Sequence, residues 1–222
     1  MESYIKNFDE FINENASSKV TDEMKSIKDA AKKDGTFMKA PNGKKSKLNE
    51  KQWLQVRTKE FIEWFGDWQN DKENSSKVLD ENGEPMVLYH GSTKKFDKFD
   101  NKTVGSRTGD ESGFYFTNNK GIAKQYYAKE TGKSFGNIMV ALGFGKLAGY
   151  NPTVYSVFLN AKNPYSYDFK GDVDKVGREK LIADARKKKH DLVVLKNIQD
   201  GPSVDQDAYV VFDSEQIRMC VE

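Results

Sequence analysis

The residues of this chain best suited to chemistry stand at the end of a short apolar run, Val87-Leu88-Tyr89-His90-Gly91-Ser92. The run reads as a short buried strand closed by a histidine and a glycine. At Gly91 a ligand can approach the backbone closely, because no Cβ stands in the way. Beside that bare backbone His90 offers two ring nitrogens. Further along come Gly113-Phe114-Tyr115-Phe116-Thr117 and then Tyr126-Tyr127. Late in the chain Asp205 and Asp207 precede Tyr209-Val210-Val211-Phe212-Asp213, followed by Gln216-Ile217. A histidine that ends a strand is often a core residue, so its meaning rests on this sequel.

The elements that must position these groups can be read in order. Asp80-Glu81-Asn82-Gly83 is a hairpin-turn signal feeding the strand that carries His90. Residues 93–112 form a polar loop, too long for a simple turn. Gly113 to Thr117 reads as a strand, and a helix from Lys120 to Lys129 carries the paired tyrosines. Gly143-Phe144-Gly145-Lys146-Leu147 imitates a phosphate loop but lacks the glycine spacing and the Ser or Thr after the lysine. It reads as an insertion loop. Val154 to Asn160 is a strand, and a basic helix spans Lys175 to Lys189, its cationic end suiting the negative helix C-terminus. Asp191 to Lys196 and Ala208 to Phe212 are the last strands, with a short one from Gln216. Many short strands with helices early and between them indicate an α+β fold.

Upstream, Trp53, Phe61, Trp64, Phe65 and Trp68 recur at helical spacing between the cap Thr58 and the terminator Gly66. An aromatic stripe of this kind reads as core. Thr21 is an N-cap candidate for a polar helix through Lys33, and residues 34–48, with Gly, Pro, Asn and four lysines, have linker composition. The expected organisation is a helical N-terminal extension and linker over residues 1–48, then one domain over 49–222.

Composition narrows the classes. Of 222 residues, 36 are Lys or Arg and 34 are Asp or Glu, a net charge of +2 that argues against a protein built to coat nucleic acid. A single cysteine, Cys220, excludes an internal disulfide framework and a Cys-rich zinc site, and two histidines argue against a multi-histidine metal site. No apolar run is long enough to span a bilayer and no basic-then-apolar leader opens the chain, so the expectation is a soluble protein that is intracellular or delivered by something other than a standard secretion signal.

The order strand-His-Gly, then Gly-x-Tyr-Phe, then a tyrosine eleven residues on, then a late strand resembles the catalytic domain of ADP-ribosyltransferases of the diphtheria-toxin and poly-ADP-ribose-polymerase class. Closer still, Val56-Arg57-Thr58 through Trp64-Phe65-Gly66-Asp67-Trp68, with Asn82-Gly83-Glu84-Pro85 leading into Leu88-Tyr89-His90-Gly91, looks like the ADP-ribosyltransferase domains of phage and mobile-element polyvalent proteins. The resemblance covers residues 50–222 and implies split antiparallel sheets with flanking helices. It implies NAD as substrate and transfer of ADP-ribose through an oxocarbenium-like transition state.

Carried over residue by residue, the stretch His90, Gly91 and Ser92 would bind the nucleotide. Gly91 would hold the nicotinamide carboxamide through its backbone, and His90 an adenine-ribose hydroxyl. Tyr115 and Tyr126 would sandwich the nicotinamide, by stacking and cation–π attraction. The loop 93–112 would lie over the nucleotide with Arg107 meeting a phosphate. Fully active members carry a glutamate directly before the Tyr-x-x-Tyr/Phe-Asp strand, and here that place holds Ala208. Asp207, and after it Asp205, are the expected stand-ins, giving His90, Tyr115, Asp207 and Asp205 as catalytic candidates.

The expected activity is that of a phage or mobile-element mono-ADP-ribosyltransferase, a toxin of host takeover modifying a host macromolecule, a protein rather than a nucleic acid. The alternatives are a non-catalytic NAD-binding or virion-packaged interaction protein, and an RNA-processing relative of the same fold. At the start, Tyr4, Ile5, Phe8, Phe11 and Ile12 form an apolar stripe at helical spacing. That stripe is either a docking helix or, by resemblance, a phage head-packaging sequence cut after Ile12-Asn13-Glu14. On the second reading the protein is packaged in the virion and injected into the host cytoplasm.

Overall fold

The computed structural model describes residues 17–104, 113–130, 151–171, 177–199 and 206–221, leaving aside the side chains of 17–19 and 126–130. The apolar stripe before residue 17, Arg107, the loop 143–147 and Asp205 lie outside the described residues. The chain forms two compact units, residues 1–87 with 158–162 and 215–222, and residues 88–157 with 163–214.

In the first unit the helix α1 (Ser17–Lys33) begins ahead of the expected cap at Thr21 and ends in two lysines that suit its negative terminus. The aromatic stretch makes two short helices, α2 (Glu50–Gln55) and α3 (Lys59–Phe65). The break falls at Thr58, whose hydroxyl accepts from the Phe61 N–H and so starts α3 afresh. Asn49 and Gln52 close a reciprocal capping box on α2. Trp53, Phe61, Phe65 and Trp68 are each at most 2% exposed and cluster with Ala31, Leu48, Phe158 and Cys220. The stripe is core, as its spacing indicates. Residues 34–48 carry a backbone bridge between Lys39 and Lys45, and the Lys39 carbonyl accepts from the Trp53 indole at 3.1 Å. At Gly66, with φ 93°, a Cβ would come within 2.5 Å of the Ser75 Cα, so the chain can pass there only as glycine.

Arg57 ties this unit together. Its guanidinium lies 3.6 Å from the Trp53 ring centroid, donates to the Trp53 carbonyl at 2.9 Å and meets Glu84 Oε1 at 3.0 Å. Glu84 is fully buried within the turn that Asp80 organises by accepting from the Asn82 and Glu84 N–H groups. Burial pulls the Arg57 pKa below its ordinary value, and the Glu84 carboxylate opposes that shift. Gln55 fixes the last strand, β7 (Ile217–Met219), donating to the Met219 carbonyl and accepting from the Val221 N–H, both at 2.9 Å.

The second unit holds β1 (Leu88–Ser92), β2 (Phe114–Thr117), α4 (Lys120–Glu130), β3 (Thr153–Leu159), β4 (Pro164–Asp168), α5 (Arg178–Lys187), β5 (Leu192–Ile198) and β6 (Gln206–Val211). The final residues of β3 and all of β7 fall in the first unit. The strands make one sheet in the order β4-β5-β6-β2-β1-β3-β7, within the expected α+β class. The pairings described are antiparallel except β4 with β5, which is parallel because α5 crosses over between them. Ile182 and Ala185 of α5 pack on Val193, Leu195 and Val210. β1 was expected to be buried, yet only Leu88 is fully so and residues 89–92 are half-exposed.

Removing Arg57 leaves the buried Glu84 without its ion-pair partner. Arg57→Ala is expected to cost about 3–5 kcal/mol in urea unfolding, whereas Arg57→Met with Glu84→Gln, which removes both charges, loses markedly less. Equal losses in the two variants would show that the pair contributes only packing.

Candidate functional site

Three neighbouring strands, β1, β2 and β6, bring the expected site positions together. Thr117 in β2 pairs with Tyr89 in β1 on one side and with Ala208 in β6 on the other. The β2–β6 ladder runs from Phe114–Val211 to Thr117–Ala208, but β1 and β2 share only the Tyr89–Thr117 pair. Next to that pair a side chain takes the place of a ladder bond, with His90 Nδ1 2.8 Å from the Tyr115 carbonyl oxygen. A carbonyl oxygen only accepts, so Nδ1 carries the proton, and a neutral ring leaves Nε2 as its acceptor.

Alternation along the strands sorts the site onto two faces. His90 lies opposite Tyr155 of β3, and its ring is 5.6 Å from Phe116 and 5.3 Å from Phe99. The strap after β1 covers this aromatic face. Phe96 stacks on Tyr155 at 4.1 Å and Phe99 stands edge-on to Phe114 at 5.7 Å. Asn101 pins the far end, donating to Asp213 Oδ1 at 3.1 Å and accepting from the Ser214 N–H at 2.8 Å. Ser92 turns the chain into the strap by accepting from the Lys94 N–H at 3.2 Å. The described part of the expected nucleotide loop thus packs on the face that carries the His90 ring.

Tyr115 points the other way, against the cluster of Val193, Leu195 and Val210, where Ala208 also packs. α4 starts beside that face, capped by Asn119, which accepts from the Gly121 N–H at 2.9 Å and the Ile122 N–H at 3.3 Å. Tyr126 falls within α4, its side chain outside the described residues. The structure therefore gathers Gly91, Tyr115 and position 208 on adjacent strands, while the His90 ring reaches the opposite face. Gly113 makes the β2–β6 approach possible, since a Cβ there would lie 2.4 Å from the Val211 carbonyl oxygen.

Asp207 has a specific structural partner. Between Leu195 and Ile198 the β5–β6 register slips by one residue, and Asn197, with φ 50°, is the bulged position. Asp207 Oδ1 accepts from its N–H at 3.0 Å. Asn197 in turn donates from its amide to Asp168 at 2.9 Å, which with the Lys170 N–H holds the Asp168 carboxyl below its usual range. The bulge lies in β5, so β6 keeps its alternation and Asp207 faces away from Ala208. The polar side chain on Ala208's own face is Gln206, which is 6% exposed and accepts from the Thr117 hydroxyl at 3.4 Å. Burial, with the Asp207 charge as the lesser cause, pushes the Tyr209 hydroxyl up to about 12.

Sequence reasoning singled out none of Phe96, Phe99 and Tyr155. The available signal was Phe-x-x-Phe inside an otherwise charged loop, and a tyrosine within an apolar strand. Among the described residues no group of three His, Cys, Asp or Glu could hold a metal ion, and no helix is long and apolar enough to cross a membrane.

An α+β domain whose strand-His-Gly lies beside a tyrosine-bearing strand, itself paired with a late strand, keeps the order of elements that the sequence resemblance implies for a transferase. The family model for the ADP-ribosyltransferase in polyvalent proteins matches residues 80–222, and the chain belongs to that family. No curated protein and no solved structure matches it.

Two outcomes follow from the β5–β6 end. A phenol held at about 12 in the fold ionises first in the unfolded chain, near pH 10. Its contribution is therefore complete below about pH 10 and drains away as pH rises toward the folded value, a loss on the order of 2 kcal/mol. Tyr209→Phe should flatten that decline in urea melts on either side of pH 10. Asp207→Ala should cost about 0.5–1.5 kcal/mol in the same melts by releasing the exposed bulge N–H to water, while Asp207→Asn, which keeps an acceptor oxygen, should cost less.

Proposed function

We propose that the protein transfers single ADP-ribose units from NAD to a host macromolecule, a protein rather than a nucleic acid. The observation that carries this reading is the adjacency of β1, β2 and β6, with Thr117 pairing to Tyr89 and Ala208, in a chain of this family. On this reading Gly91 holds the nicotinamide carboxamide through its backbone, His90 and Ser92 bind toward the adenine ribose, and Tyr115 and Tyr126 sandwich the nicotinamide. Arg107 meets a phosphate. The polyvalent-protein kinship supports a phage or mobile-element origin, and the packaging-like N-terminal stripe supports delivery with the virion into the host cytoplasm.

Ala208 favours a second reading, a protein that binds NAD without turning it over. An alanine neither orients a ribose hydroxyl nor offsets charge on the anomeric carbon. Asp205 and Asp207 are the carboxylates proposed for that work, and Asp207 is already committed to the β5 bulge.

Incubating the protein with labelled NAD and host lysate, then digesting separately with protease and nuclease, tests both readings. Protease-sensitive label is the expected outcome. Absence of transfer, with NAD still bound by calorimetry, leaves the binder reading. Ala208→Glu is expected to raise NAD turnover by about a hundredfold, the scale of one oriented charged contact in such a transition state. Tyr126→Ala should weaken NAD binding by about 1–2 kcal/mol in a protein that still folds.

A further inference from the structure

The strap between β1 and β2 is held over His90 by a hydroxyl to which the family resemblance gives no role. Tyr155 lies directly opposite His90 in β3 and is 8% exposed. Its oxygen accepts from the Phe96 N–H at 2.5 Å and donates to the Phe96 carbonyl at 3.0 Å. One phenol thereby does for Phe96 what a facing strand residue does in an antiparallel ladder, satisfying both backbone groups at once. Only the neutral phenol can donate and accept together, and burial raises the Tyr155 pKa above its ordinary value, which keeps that form.

The charged residues around Phe96 give the strap little reason of their own to lie down. Lys94, Lys95, Asp97 and Lys98 are exposed, and Phe96 and Phe99 are the apolar residues turned toward the sheet. Those two rings flank the imidazole, at 6.3 Å and 5.3 Å. Asn101 holds the far end, at the end of β6, and leaves the Phe96 turn to the phenol. We infer that Tyr155 is a positioning residue for His90: its hydroxyl latches the strap so that Phe96 and Phe99 fix the imidazole in the orientation that binds NAD. The NAD half of this inference rests on the function proposed above. Phe96 is half-exposed, so its backbone groups can bond to water when the hydroxyl is lost. Fold stability is then largely spared, and the effect falls on the strap and on His90.

With two histidines in the chain, the His90 ring signals can be assigned in proton NMR by comparison with His190→Ala. In Tyr155→Phe the His90 ring resonances should shift as the neighbouring rings lose their fixed places, while the thermal midpoint stays within a few degrees. Phe96→Ala should shift the same resonances, and the double variant should move them no further than Phe96→Ala alone, because the latch acts through Phe96. The KM for NAD should rise about tenfold in Tyr155→Phe with kcat held within about twofold, the scale of lost hydrogen bonds that position a binding group. Unmoved His90 resonances in Tyr155→Phe overturn the latch, as does a fall in kcat at constant KM. Shifted resonances in a protein whose wild type binds no NAD overturn the transferase reading instead and leave the latch standing.

Discussion

One rung of backbone pairing, running from Tyr89 through Thr117 and Ala208 to Leu195, sets the face on which every side chain of the site emerges. Side chains in a strand alternate with a period of two, so fixing this rung fixes all the others, and a slip by one residue would exchange the faces. Thr117 is 4% exposed, and its hydroxyl both bonds Gln206 and accepts from the Asn119 N–H at 3.1 Å, so one side chain ties β6 to the start of α4. The same rung is the single residue pair between β1 and β2. β1 leaves β2 immediately after it, and the His90 ring on the Tyr115 carbonyl bridges the parting strands.

Local features of the sequence were largely legible, because short-range rules generate them. The aromatic spacing from Trp53 to Trp68 gave the core residues correctly. Thr58 was recognised as a cap, though not as the point that splits the segment into two helices. The strand order along the chain was legible too, and with it the family. What escaped were consequences of register between distant segments. Tyr155 faces His90 because β3 pairs with β1 across a long sequence separation, and nothing in the sequence around Tyr155 announces that partner. The β4–β5 parallel pair depends on where α5 crosses, which periodicity does not encode. The half-exposure of β1 likewise reflects its neighbours more than its own apolar run.

Asp207 shows the same division most sharply. Sequence proximity to Ala208 made it the first candidate for a missing carboxylate, and strand alternation would turn it inward only through a bulge in β6. The bulge exists, but in β5, and the Asp207 carboxylate is what ties it down. Bringing that carboxylate round to Ala208's face would abandon the bulge N–H and loosen the Asn197–Asp168 bond beyond it. Each is a hydrogen bond to a charged carboxylate. Along β6 the polar group already on the face is the Gln206 amide, which is neutral and bonded to the Thr117 hydroxyl. An amide can orient a hydroxyl by hydrogen bonding, yet it presents a dipole where a carboxylate presents a full charge. On the function proposed above, work on NAD at this face would lean on orientation more than on fixed negative charge. That balance separates an efficient polymer-forming transferase from a slow single-unit modifier or a binder. All three can share the rung through Thr117, and they differ in whether charge developing on the ribose finds a carboxylate opposite it.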